Sequence, residues 1–207
     1  MLKKYNGRYY ESEYEQVFIK FLEQVGWTYT FGKDVNRIKL TDILIKDDFE
    51  SFVEKTNPTL NSEEVKQIFD VIRLAGGETE FSTLHKLYKW YINGLQFTPQ
   101  NGLATMIKLI DFDNPENNTF RVVNQFEVEY TNNGQKSLRI PDIILFVNGL
   151  PLCIIELKNP SNARATIHEA WEQIYIRYWR DIPHLLHYSP LACISDGVKI
   201  RDYPYSL

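Results

Sequence analysis

Cysteine is scarce: Cys153 and Cys193 are the only two in 207 residues. Both sit inside apolar runs, CII and LACI, which marks them as packed free thiols rather than a disulfide or a metal pair. No apolar run approaches the roughly 20 residues that a bilayer-spanning helix needs. The start, MLKKYNGRYYESEYE, has a basic pair with no apolar stretch behind it and does not read as a signal peptide. Internal repeats and low-complexity tracts are missing, as is the phosphate-cradling pattern GxxxxGK[ST]. A cytoplasmic setting fits these absences. Positive charge is not in excess either: 23 Lys and Arg stand against 27 Asp and Glu, a net charge of −4. An autonomous duplex-binding domain usually presents a basic face. Here such a face must be local or come from other domains or subunits. An acidic balance also suits a carboxylate metal site, so charge alone decides nothing.

What is present suffices for one large domain. Hydrophobic residues make up 43% and aromatics 14%, enough for a substantial core. Val17, Phe18, Phe21, Leu22 and Val25 recur at helical spacing and predict a helix over 10–25, stopped by Gly26. Residues 36–95 read as mostly helical. Thr41 or Asp42 caps one helix, and Asn57-Pro58 breaks the chain. Ser62 caps the next helix, with Val65, Ile68, Phe69 and Ile72 on one face and Gly76-Gly77 at its end. Another helix is expected over 82–93, before Gly94. From about 103 the pattern turns strand-like, first over 106–111. TFRVVNQFEVEY then reads as one strand and RIPDIILFV as a second. Asn148-Gly149 is a strong turn signal, and LPLCIIELK is the return strand. A helix over 164–180 and a short strand, LACI, follow. The order predicts an α/β fold with a mixed sheet, a helical insert at about 36–100 and a central hairpin at about 138–159.

That hairpin carries the chemistry. Apolar strands normally hold no charge, yet Asp142 begins one and Glu156 and Lys158 end the other. Residues two apart share a strand face, so Glu156 and Lys158 point together and Leu157 points away. Two converging carboxylates repel unless a cation lies between them. Hard oxygen ligands suit Mg²⁺ or Mn²⁺. A lysine alongside can orient or deprotonate a water, giving the parts for phosphodiester hydrolysis. The competing account is a salt bridge at a sheet end. Register discriminates: a plain two-residue turn at Asn148-Gly149 places Asp142 and Glu156 on opposite faces. A bulged three-residue turn, Val147-Asn148-Gly149, places them on one face and uses Gly149 at positive φ.

PD, thirteen residues, then ELK resembles the PD-(D/E)xK nuclease superfamily. The longer string PDIILFVNGLPLCIIELKNP, with LIDFDNPENNTFRVVNQ before it and IPHLLHYSPLACISDG after it, resembles the N-terminal nuclease domain of the type I restriction enzyme R (HsdR) subunit. The likeness runs from about residue 10 to the end. It implies a mixed sheet flanked by helices and Mg²⁺-dependent cleavage of double-stranded DNA, with Mn²⁺ as a substitute. It assigns Asp142 and Glu156 as metal ligands and Lys158 as the catalytic lysine. Superfamily members often add a glutamate from the first helix, for which Glu11 and Glu15 are candidates. Glu15 shares a stripe with Phe18 and Leu22 and is the one assigned to the metal. The family also carries QxxxY on the following helix, for DNA contact and support. Here Gln173 is followed after four residues by Arg177, and the tyrosine is Tyr178. A regular helix puts Gln173 and Arg177 on one face, and only a π-bulge brings Gln173 and Tyr178 together. Arg177 and Tyr178 therefore both stand as support candidates. The likeness further implies methyltransferase (M) and specificity (S) subunits as partners. It implies helicase-like motor domains beyond this chain, to which ATP belongs.

Other residues read as structural. His85, His168, His184 and His187 lack metal-ligand spacing, and His184 and His187 are expected at the surface or an interface. Asp111 and Asp113 read as turn caps. Trp90, with Tyr88 and Tyr91, reads as helix packing. Lys136, Arg139, Arg164, Arg177 and Arg180 are candidate phosphate contacts. Two rivals to a nuclease stand. A non-catalytic DNA-binding or assembly module with this fold predicts a missing catalytic residue, and none of the three is missing. A carboxylate-pair glycosidase gives the lysine no role.

Overall fold

The computed structural model describes residues 11–75, 79–100, 102–158, 167–195 and 200–204, with only the backbone at 11, 167, 200, 203 and 204. Helix α1 (Glu11–Gln24) leads into strand β1 (Thr28–Phe31). Helices α2 (Lys46–Thr56), α3 (Ser62–Arg73) and α4 (Glu80–Asn93) follow, then β2 (Leu95–Phe97) and β3 (Thr105–Ile107). Five strands come next: β4 (Phe120–Asn124), β5 (Val128–Asn132), β6 (Gln135–Arg139), β7 (Ile143–Val147) and β8 (Leu150–Leu157). The last stretch holds α5 (Ile167–Glu172), a π-helical segment (Gln173–Tyr178), α6 (Trp179–Asp181), α7 (Pro183–Tyr188), β9 (Leu191–Ser195) and β10 (Ile200–Pro204). Among the described residues no helix is long and apolar enough to cross a membrane.

Two compact units divide the chain. One takes the described residues within Met1–Ile43, Phe120–Phe146 and Pro151–Ser206; the other takes those within Leu44–Thr119 and Val147–Leu150. The expected helical insert at about 36–100 falls largely in the second. There α2 packs Phe49 against Phe69 of α3, ring centroids 5.5 Å apart. Helix α3 is capped by Asn61, not Ser62. The Asn61 side chain accepts from the Glu63 and Glu64 amides, and the Glu64 carboxylate accepts from the Asn61 amide, a reciprocal capping box. Thr79 and Ser82 do the same for α4. Neither Thr41 nor Asp42 caps α2, which starts after Ile45 without a side-chain cap. Gly76-Gly77 lies outside the described residues.

The first unit is built on a six-stranded sheet in the order β1-β4-β7-β8-β9-β10. Strands β1 and β4 are parallel, as are β8 and β9, while β10 runs antiparallel to β9. The sheet is mixed, as the alternation of strand and helix patterns leads one to expect. Ile19 and Leu22 of α1 bury against Val122, Ile143, Ile155 and Leu157 on one face. Glu156, between Ile155 and Leu157, therefore turns to the opposite face, where the helical segment after β8 covers it.

TFRVVNQFEVEY does not form one strand. It breaks at Gln125, whose φ is 52°. The chain there leaves the main sheet for the separate β5–β6 ribbon, because a left-handed residue cannot continue a pleat. Likewise the strand expected over 106–111 ends at Ile107. The hairpin expected at about 138–159 is β7–β8 alone, with 138 and 139 in β6.

The Asn148-Gly149 turn departs from the bulged three-residue form. Two residues separate β7 from β8, and both are left-handed, with φ of 51° and 76°. That is the primed turn favoured by strand twist. The asparagine is wholly buried and fully bonded: its Nδ2 donates to the Leu109 carbonyl at 2.9 Å and to Asn118 Oδ1 at 2.8 Å, and its Oδ1 accepts from the Thr119 amide at 2.8 Å. A Cβ on Gly149 would stand 2.1 Å from the Ile45 carbonyl oxygen. The face argument still holds by another route. A regular ladder below Val147 and Leu150 sets Ile143 opposite Ile154, yet Ile143 shares its core cluster with Ile155, and Leu145 and Cys153 pack on the same cluster. One residue of offset is absorbed between the turn and that cluster.

Candidate active site

Asp142 sits in a bend just before β7, after Pro141. Its Oδ2 accepts the Leu157 amide at 2.8 Å. This bond ties the start of β7 to the end of β8 and brings the carboxylate beside Glu156. Glu156 is fully buried. Burial, and then the charge of Asp142, push its carboxyl well above the usual carboxylate range.

The π-helical segment completes the arrangement. Tyr178 donates to Glu156 Oε1 at 2.6 Å, and Gln173 Nε2 donates to Glu156 Oε2 at 2.6 Å. The same Gln173 nitrogen donates to the Tyr178 hydroxyl at 2.8 Å. Lys158 Nζ donates to Gln173 Oε1 at 3.3 Å and stands 4.0 Å from Glu156 Oε2. Glu156, Gln173 and Tyr178 thus close a ring of hydrogen bonds, with Lys158 at its edge. The Tyr178 phenol is pushed well above its usual range by burial, then by Glu156. Five-residue spacing puts Gln173 and Tyr178 on one face only because residues Gln173–Tyr178 are wound as a π-helix. Arg177 is exposed and outside the ring.

Glu15 is buried on α1, but in a neighbouring network. It accepts hydrogen bonds from the Asn124 and Gln125 side-chain amides. Of Glu11 only the backbone is described. Among the described residues, no three or more His, Cys, Asp and Glu side chains are gathered to hold a metal. The Asp142–Glu156 pair nonetheless fits a hard cation in chemistry: two oxygen-ligand groups meet where mutual repulsion and burial disfavour the charged form of Glu156 unless a positive charge lies beside it.

The other candidates are mostly engaged elsewhere. Arg139 and Arg180 both bond Asp181, and Lys136 pairs with Glu129. Arg164 lies outside the described residues. His184 and His187 are half-buried in α7 rather than on the open surface, and His187 meets Trp179 edge-on at 5.7 Å. Burial, and then His187, lower the His184 pKa. Both cysteines are free, and burial pushes each thiol up to about 12. Asp111 caps its loop as expected, accepting from the Asn114 amide, Asn117 and Lys108. The Asn124–Gln125 amide pair escaped the sequence reading. The only signal was two polar residues closing a β-branched strand.

A family profile described as Type I restriction enzyme R protein N terminus matches residues 8–204. The chain is similar to the type I restriction enzyme HindI endonuclease subunit of Haemophilus influenzae, 33% identical over 92% of this chain and 19% of that protein. It is also similar to the putative type I restriction enzyme MjaIXP endonuclease subunit of Methanocaldococcus jannaschii, 31% identical over 90% of this chain and 18% of that protein. The chain thus spans under a fifth of the length of these relatives. With this profile over nearly its whole length, the chain belongs to the family of type I restriction enzyme R protein N-terminal domains.

Proposed function

We propose that this chain is the nuclease domain of a type I restriction R subunit and hydrolyses phosphodiester bonds of double-stranded DNA. The observation that carries the reading is the ring around Glu156: a buried carboxylate beside Asp142, held by Gln173 and Tyr178, with Lys158 at hydrogen-bonding distance from the same ring. Asp142 and Glu156 would hold Mg²⁺, or Mn²⁺ in its place. The chemistry such an ion would supply there is polarisation of the phosphoryl oxygen and stabilisation of its developing charge. Lys158 would orient the attacking water and, as the free amine, accept its proton as the water oxygen bonds to phosphorus and the leaving oxygen departs. Gln173 fixes the lysine and Glu156 in one geometry, and Tyr178 locks Glu156 from beneath. Lys158 lies nearer Gln173 Oε1, at 3.3 Å, than Glu156 Oε2, at 4.0 Å, which favours this division of labour over a close sheet-end salt bridge.

The grip on DNA is expected to come largely from outside the domain. Non-specific affinity arises mainly from neutralising phosphates, and Arg139, Arg180 and Lys136 already serve carboxylates within the chain. Motor domains elsewhere in the R subunit would deliver unmodified DNA by ATP-driven translocation, with methyltransferase and specificity subunits choosing the site. The test is single alanine substitution of Asp142, Glu156 and Lys158 in the complete R subunit, assembled with its partners. Each should abolish plasmid cleavage and leave ATP hydrolysis intact. Wild-type cleavage by Lys158→Ala would remove the lysine from the mechanism.

A further inference from the structure

We propose that Glu15 positions Asp142 through Gln125 instead of ligating the metal. Gln125 is left-handed, with φ of 52°. The other two non-glycine residues of positive φ among the described ones, Asn133 and Asn148, belong to a type enriched in this conformation; glutamine adopts it rarely. Such a conformation persists only where its surroundings over-determine it, and three contacts do so here. The Gln125 amide donates to the Asp142 carbonyl at 3.1 Å. Gly32 lies flat against the turn: a Cβ there would be 2.3 Å from the Gln125 carbonyl oxygen. The Gln125 side chain donates to Glu15 Oε2 at 3.2 Å.

Glu15 is itself held. Its other oxygen accepts from Asn124 Nδ2. Asn124 in turn accepts from the Tyr29 hydroxyl at 2.9 Å. Asn124 is on the α1 face, since it lies two residues from Val122 of the α1 core cluster. Glu156 faces the other way, toward Tyr178. The carboxylate of Glu15 is thus committed to amides on one face while the Asp142–Glu156 pair forms on the other. What Glu15 does reach is the turn whose amide sets the Asp142 backbone. With Leu157 holding the Asp142 side chain, the aspartate is fixed from both ends.

This assignment rests on the nuclease reading, and its test separates the two. The measurement is Mn²⁺ binding to the 207-residue chain by titration calorimetry, with thermal unfolding of the metal-free protein alongside. Glu15→Gln keeps an oxygen for Asn124 and can exchange an amide bond with a flipped Gln125. It should bind Mn²⁺ like wild type. Glu15→Ala releases the turn and should weaken binding by roughly tenfold, the usual scale for a partner behind the ligands. Glycine needs no buttress at positive φ, so Gln125→Gly should restore binding to Glu15→Ala. A roughly tenfold or larger loss in Glu15→Gln, or no rescue by Gln125→Gly, overturns the positioning role. Asp142→Asn serves as the reference: loss of Mn²⁺ binding in that variant keeps the metal site standing whatever Glu15 does. Wild-type binding in it removes the metal site itself.

Discussion

Tyr178→Phe removes one oxygen and leaves the ring in place. That oxygen donates to Glu156 at 2.6 Å and accepts from Gln173 at 2.8 Å. Tyr178 is only 2% exposed and Glu156 is fully buried, so water does not replace the lost partner. A hydrogen bond of this kind, with a buried acceptor stranded by its removal, is worth about 2 kcal/mol. For a chain of this size each kcal/mol moves the melting temperature by about 2–4 °C, so the variant should melt about 4–8 °C lower. Circular dichroism melts of the metal-free chain measure this directly. Tyr88→Phe is the control, because Tyr88 is 56% exposed and changes at such sites stay within about 0.5 kcal/mol. If Tyr178→Phe melts with the control, the hydroxyl does not bear on Glu156 and the ring around the site is wrong.

Deleting Ile176, an exposed residue of the π-helical segment, should let the segment wind as an α-helix and keep glutamine and tyrosine on one face four residues apart; a melting temperature at or above wild type is expected, and a fall as large as that of Tyr178→Phe would show that the π turn is itself required. Gly149→Ala should cost about 2–5 kcal/mol, combining left-handed strain with overpacking against the Ile45 carbonyl. Gly134→Ala, also left-handed but with nothing within 4 Å of its Cβ, should cost only about 1–2 kcal/mol, and equal losses in denaturant melts would refute the close approach. Asp111 is held down to about 2, chiefly by the Asn117 amide, then by the Asn114 amide and Lys108. Its folded value lies below its unfolded one, so its contribution is present above about pH 4 and lost as pH falls toward 2; Asp111→Asn should flatten that part of the acid-stability curve, and an unchanged slope would contradict the bonding.

Local patterns carried far in this chain. The α1 helix, the α3 face and the β7–β8 hairpin all follow from spacing that elementary helix and strand geometry fixes, but the buried face of α1 does not: Ile19 and Leu22 are buried while Val17, Phe21 and Val25 of the expected stripe are exposed. The residues of the candidate site drew notice for a similar reason: charges stand out at the ends of apolar strands, and the long strings around them are family-like. Even the π-helix had a signal, since Gln173 and Tyr178 five apart meet only if one residue is looped out. Capping was less legible. Asn61 and Ser62 are both good caps, and only the reach of Glu64 back to the Asn61 amide chose between them.

The amino-acid order therefore determined which charged residues end the apolar strands of the candidate site, and which strands carry them. Tertiary structure decided the rest. The two-residue turn prevailed over the bulged one because Leu109, Asn118 and Thr119, some 29 to 39 residues away in sequence, satisfy the buried Asn148. TFRVVNQFEVEY split because Gly32, Glu15 and Asp142 hold Gln125 in a conformation its own propensity disfavours. No window of sequence contains those partners. A local preference is worth about a kcal/mol, and several long-range bonds acting on one buried group outweigh it.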